Sequence, residues 1–288
     1  MSLDSEKLDP EEILNSSLET LYDYQPITLT STGSVFTYAL KSASAASTTV
    51  TLRTPDTDAS NWSLHASSIW ASSKYLADNV DHLHLQSHLD QRTSPDEKIR
   101  LLELGAGAGL PGIVIAKSHP EILVTVSDYP DVQLIRTLSE NIANNQVSAN
   151  CHARAYAWGS DPHVLLRGDS DQYSDRGFDA IIAADTLWNS DLHGIFIDSL
   201  RRTLRKSSSS RAHLVAGLHT GRYTLQSFFD AALQSGFVFE SLEERERSGT
   251  AKRNWDVTRA EQEDEKERRK WLVWIVLKWP TDSVNESA

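Results

Sequence analysis

The sequence predicts a doubly wound α/β fold: a seven-stranded, mostly parallel sheet ending in an antiparallel hairpin, with a small β extension before it. Three observations lead there. From residue 98 onward, short apolar runs alternate with stretches whose apolar residues recur at helical spacing. A glycine-rich turn, Gly105-Ala-Gly-Ala-Gly109, joins the first strand to the first helix of that series. The last two apolar runs, Phe237 to Leu242 and Lys270 to Lys278, are separated by charged residues and by no helix with an apolar face. Two strands joined without a packed crossover suit an antiparallel pair.

The elements follow in order. Residues 1–60 read as an N-terminal extension, partly flexible, with strands at Val35 to Leu40 and Thr49 to Arg53 and a Ser/Ala loop between them. Ile69, Ser73, Leu76 and Val80 share one helix face, and the polar, His-rich residues 82–97 read as a loop. The main domain spans 61–282. Its first strand is Ile99 to Leu104, and the helix from Pro111 carries proline in its first turn. Ile122 to Val126 is the second strand, and Asp131 is placed to cap the helix bearing Leu134, Ile135, Leu138 and Ile142. Weaker or shorter strands follow at 149–156, Phe178 to Ala184 and His213 to Gly217, with helices over Asp191 to Arg205 and Arg222 to Gln234. Residues 243–269 mix both signs of charge densely and read as a solvated helix or a disordered insertion in the final hairpin.

Composition excludes several classes. The 288 residues are 39% hydrophobic and 24% charged, as in soluble globular proteins. A net charge of −12 argues against a nucleic-acid partner held through phosphates. With Cys151 alone, no internal disulfide can form. The ten histidines show no zinc-ligand spacing, so no metal is expected. The start lacks a basic, apolar leader, and the apolar run Trp271 to Trp279 is too short for a membrane span and broken by Lys278. The expectation is a cytoplasmic or nuclear protein without a membrane partner.

The glycine turn carries the chemistry. Glycines there let the backbone turn tightly and approach a ligand, and the helix beyond offers free N–H groups, which suit a carboxylate or a phosphate equally. Leu110 occupies the place of the third glycine of a dinucleotide fingerprint, and no Gly-Lys-Ser/Thr sequence follows. Glu103, just ahead, would repel a pyrophosphate but favour a cationic amino acid with a sulfonium. Asp128 lies 128 − 105 = 23 residues past the first glycine, where a carboxylate accepts from ribose hydroxyls. Together these select S-adenosylmethionine. A turn with Asp128 as a helix cap is the plainer alternative.

Leu102-Glu-Leu-Gly-Ala-Gly-Ala-Gly-Leu-Pro-Gly112, followed by Val126-Ser-Asp-Tyr-Pro130, resembles the family-sixteen methyltransferases over about residues 60–280. That group holds seven-strand, Rossmann-like protein-lysine methyltransferases and fungal proteins named nicotinamide N-methyltransferase-like. The resemblance implies a fungal source and assigns residues. Trp70, in Ser67-Ser-Ile-Trp70, packs by the cofactor; Glu103, Gly105 and Gly107 line its methionine part; Asp128 binds its ribose; Tyr129 and Trp158 flank its adenine; and Ala184 lies beside it. For Trp70 and Trp158 a core role stands beside this one.

The fourth strand ends in Ala184-Asp-Thr-Leu-Trp188, where the family reads Asp-x-x-Tyr. Trp188 keeps an aromatic face for a developing cation and lacks the phenol. Asp185 either orients an acceptor amine or caps the next helix. Methyl transfer from a sulfonium needs alignment and a dry site more than a nucleophile, and the sequence shows no nucleophile elbow. The expected activity is N-methylation of a protein lysine or N-terminal amine. A nicotinamide-type small-molecule acceptor and a non-catalytic cofactor-binding interaction module are the alternatives.

Overall fold

The computed structural model describes residues 27–40, 49–56, 61, 64–92, 94, 97–166 and 176–281. β1 (Val35–Ala39) and β2 (Thr49–Arg53) pair antiparallel. The Ser/Ala loop expected between them lies outside the described residues. α1 (Ala71–Asp78) passes through a 3-10 turn, Val80–Leu83, into α2 (Leu85–Asp90). The sequence predicted a loop over this last stretch. It is helical because Leu85, His88 and Leu89 fall on one face and are buried, which the run of histidines obscured.

β3 (Ile99–Leu104), α3 (Leu110–Ser118), β4 (Ile122–Asp128), α4 (Val132–Asn144) and β5 (Cys151–Ala155) form the first half of the main sheet. As predicted, Asp131 caps α4: its Oδ1 accepts from the backbone N–H of Gln133 and Leu134. After α5 (His163–Leu166) come β6 (Ala180–Ala184), α6 (His193–Thr203), β7 (Arg211–Gly217) and α7 (Arg222–Gln234). β8 (Val238–Glu246), β9 (Lys252–Asn254), a 3-10 turn over Val257–Glu261, α8 (Glu265–Arg269) and β10 (Trp271–Lys278) complete the order.

The main sheet has the strand order β5-β4-β3-β6-β7-β10-β8-β9. β5, β4, β3, β6 and β7 are parallel, and β10 runs antiparallel to both β7 and β8. Seven strands are those the sequence indicated. β9, three residues long, adds an eighth at the edge. Both faces are covered, so β10 reads as a continuous apolar run: Leu272, Trp274 and Val276 enter one core, while Val273, Ile275 and Leu277 enter the other.

The β1–β2 hairpin is clipped to α4. The Asn145 amide accepts from the Thr51 N–H and donates to the Thr51 carbonyl, and Asn141 does the same with Arg53. Asn141 Nδ2 also donates to the Ala108 carbonyl, inside the glycine turn.

The charged segment is folded: α8 within it is a solvated helix that buries no residue, but the rest is tied into the sheet and α7, so a disordered insertion does not describe it. Arg222 on α7 forms two parallel bonds with Glu244 of β8, 2.7 and 2.8 Å, and two with Glu263, both 2.7 Å. Arg253 and Arg259 also donate to Glu244, which is fully buried. Trp255 covers the cluster, 5.0 Å from the Arg222 guanidinium. A charge run looks solvated when its counter-charges lie elsewhere in the sequence, as Arg222 does here.

Candidate active site

The strand order reverses direction between β3 and β6: the chain leaves β3 toward β4 on one side and later returns to β6 on the other. A crevice opens at the carboxyl ends of parallel strands at such a point. One cavity occupies it, and all ten residues singled out from the sequence line it: Trp70, Glu103, Gly105, Gly107, Asp128, Tyr129, Trp158, Ala184, Asp185 and Trp188.

The turn after β3 is built around two carboxylates. Glu103 Oε2 accepts from the Gly112 N–H at 2.9 Å, in the first turn of α3, and its side chain is 2% exposed as a residue. Gly112 must be glycine, because a Cβ would lie 2.6 Å from Glu103 Oε2 and overlap Val126. Burial pushes the Glu103 pKa up to about 8, against the opposing bond from Gly112. Asp128 ends β4; its Oδ2 accepts from the Gly107 N–H and its Oδ1 from the Tyr129 N–H, each at 2.7 Å. Burial raises its pKa to about 6 in spite of those bonds. Asp128 therefore fixes the turn itself, and a carboxylate oxygen with a spare lone pair can still accept from a ligand hydroxyl.

The opposite wall is aromatic. Trp188 meets the His65 ring edge-on at 4.9 Å, His65 meets Trp70 at 6.0 Å, and Trp70 stacks on His219 at 5.3 Å. The Trp70 indole N–H donates to the His65 carbonyl, so the ring's direction is fixed. Trp158 packs edge-on against Phe196 at 4.8 Å with one side toward the cavity, so its core role and its place in the cavity wall coexist. Asp185 has a left-handed backbone, φ 53°, and its Oδ1 accepts from the Gly217 N–H at 2.7 Å. It does not cap the following helix. Asn189 does that, accepting from the Asp191 N–H.

A family model described as lysine methyltransferase matches residues 56–235. The chain belongs to the lysine methyltransferase family. Among its relatives is the protein N-terminal and lysine N-methyltransferase efm7 of Neurospora crassa, 30% identical over 200 residues, covering 65% of this chain and 67% of that protein. The Schizosaccharomyces pombe protein of the same name is 28% identical over 184 residues, 63% of this chain and 70% of that one. Among solved structures, the glycopeptide N-methyltransferase MtfA with sinefungin superposes with a TM-score of 0.50 at 10% identity, over 73% of this chain and 87% of that one, which speaks to the fold.

The methyltransferase thus uses S-adenosylmethionine, and its cavity fits that group on two counts. Gly105, at φ +68°, leaves a cradle that a Cβ would fill, since it would stand 2.8 Å from Thr186 Cγ2 and 3.3 Å from Trp158. Thr186 Oγ1 is buried at the cavity wall without a hydrogen-bond partner, an orphan that a polar ligand atom would satisfy.

Sequence reasoning missed Thr186, His65, Ser73 and Tyr156, which also line the cavity, and His219, which stacks behind it. Thr186 adjoins Asp185 and could have been found from the strand-end rule. His65 could not: its position depends on a left-handed backbone, φ 52°, that no neighbouring residue signals.

Proposed function

We propose that this methyltransferase transfers a methyl group to an amine of a protein, a lysine side chain or an N-terminal amine. The observation that carries this reading is the aromatic wall Trp188–His65–Trp70, backed by His219, beside the Asp185 carboxylate at the β6 end of the cavity. The names of the curated relatives support it.

Bound S-adenosylmethionine supplies a methyl carbon on a cationic sulfur that leaves as a neutral thioether. Asp128 would hold the ribose, Trp158 and Tyr129 would flank the adenine, and Glu103 would face the cationic amino-acid end, with Gly105, Gly107 and Ala184 as the floor. Asp185 attracts the protonated amine to the cavity. The aromatic wall would disfavour the ammonium form, so that its proton leaves to solvent and the amine is held with its lone pair free. The ring faces of Trp188 and Trp70 then stabilise the methylated cation. The net charge of −12 suits a protein partner over a nucleic acid. Among the described residues no helix is long and apolar enough to cross a membrane. We place the protein in the cytoplasm or nucleus of a fungus.

The test is incubation with methyl-labelled S-adenosylmethionine and a fungal extract, before and after chemical acetylation of its amines, with nicotinamide in a separate reaction. Label in a protein band, lost on acetylation, is expected. Label in nicotinamide alone would overturn the assignment.

A further inference from the structure

Thr186 follows β6 in the wall of the main cavity, is 6% exposed, and carries a buried hydroxyl oxygen without a hydrogen-bond partner. We infer that this hydroxyl binds the amino-acid end of S-adenosylmethionine, and that the unliganded protein leaves it unpartnered because its partner is the cofactor.

The inference concerns the cofactor and holds whichever amine is methylated. It rests on the placement of the nucleoside by Asp128, Tyr129 and Trp158 given above. Three observations carry it. The first is energetic. A buried hydroxyl without a partner destabilises a fold, and a valine of the same shape would remove that loss, so the oxygen does nothing for the unliganded protein. The second is rigidity. The Asp185 N–H donates to the Val215 carbonyl at 2.8 Å, and Asp185 Oδ1 accepts from the Gly217 N–H at 2.7 Å. On the other side of Thr186, the Leu187 carbonyl accepts from His193 Nε2 at 3.0 Å. Thr186 is therefore pinned from both neighbours, and its β-branched side chain has few rotamers. A group fixed in this way loses little freedom when a ligand arrives. The third is position. A Cβ on Gly105 would stand 2.8 Å from Thr186 Cγ2, so the methyl of Thr186 packs against the glycine turn. In the order β5-β4-β3-β6, the residues assigned to the nucleoside follow β4 and β5, whereas Thr186 follows β6, across β3 from them. With adenine and ribose over β4 and β5, the amino-acid end falls toward β3 and β6, where Glu103 and Thr186 line the cavity. There a hydroxyl can donate to the α-carboxylate or accept from the α-ammonium.

The experiment uses the full-length wild type, Thr186→Val and Thr186→Ser. Calorimetry gives the dissociation constants of S-adenosylmethionine, S-adenosylhomocysteine and 5′-methylthioadenosine, the last of which lacks the amino-acid end. The melting temperatures of the unliganded proteins are recorded alongside. Thr186→Val should weaken the two amino-acid-bearing ligands by about tenfold or more and 5′-methylthioadenosine by less than about twofold. Its unliganded melting temperature should match or exceed that of the wild type, because the hydroxyl it removes has no partner there. Thr186→Ser, which keeps the hydroxyl, should hold all three affinities within about threefold of the wild type. Equal weakening of all three ligands by Thr186→Val would overturn the inference, and so would unchanged affinity for S-adenosylmethionine. A lowered melting temperature of unliganded Thr186→Val would also overturn it, by showing that the hydroxyl serves the fold.

Discussion

At the scale of single residues, Glu103 is the group whose charge state matters most. Its pKa is pushed up to about 8 from an ordinary 4.5, chiefly by burial. A carboxyl raised in this way weakens the unliganded fold as pH rises from about 4.5 to about 8, because the unfolded chain ionises first. Cofactor binding has the opposite sign: a cationic ligand favours ionised Glu103, so its binding releases a proton. Affinity for S-adenosylmethionine should therefore increase between pH 6 and 8, by up to about tenfold per pH unit, and level off above that. Calorimetric titrations across this range should show that slope for the wild type and a flat profile for Glu103→Gln. Below pH 6, protonation of Asp128 should steepen the loss in both proteins. Glu103 and Asp128 were legible in the sequence because the whole constellation of strand, turn and acid is local, within about one βαβ unit. Asp185 was legible as a position but not as a geometry, since its Gly217 partner lies on the next strand.

Among the elements, the pairing of α7 with β8 shows how a charged sequence can be structural. Arg222 and Glu244 have no exposed side-chain surface, and removing Glu244 leaves the buried Arg222 with Glu263 as its remaining carboxylate and takes an acceptor from Arg253 and Arg259 as well. Glu244→Ala should destabilise the fold by about 3–5 kcal/mol, measured as a shift in urea midpoint, and loosen β9 and the 3-10 turn after it. A loss under about 1 kcal/mol would show that water reaches Arg222 readily, as at surface pairs. The periodicity that revealed α4 and α7 is a pattern within one element. The order in 243–269 is a pattern between elements, with Arg222 answering Glu244 and Glu263, and no window along the chain contains it. α2 was hidden for a related reason: His88 counts as polar in a periodicity reading yet is buried.

For the whole molecule, the N-terminal hairpin and the cofactor cavity are one mechanical unit. Asn141 bonds β2 on one side and the Ala108 carbonyl of the glycine turn on the other. Asn141→Ala should cost about 1–3 kcal/mol for the partners left unpaired, seen as a lower melting temperature, and should weaken cofactor binding by freeing the turn. Unchanged affinity with lowered stability would confine Asn141 to holding the hairpin. The strand succession was readable from alternating apolar runs, but the seat of β10 between β7 and β8 was not, because pairing partners are chosen by packing. That seat has a consequence for biosynthesis. β8, with β9 on its outer edge, leaves the ribosome before β10, the strand that joins it to the sheet, while β7 waits with an unpaired apolar margin. Until residues 271–278 emerge, the nascent chain displays a template for pairing with other chains, and its ion-paired segment has no sheet to join. A message cut short upstream of Trp271 would therefore yield a client for chaperones and proteases, and not a smaller enzyme.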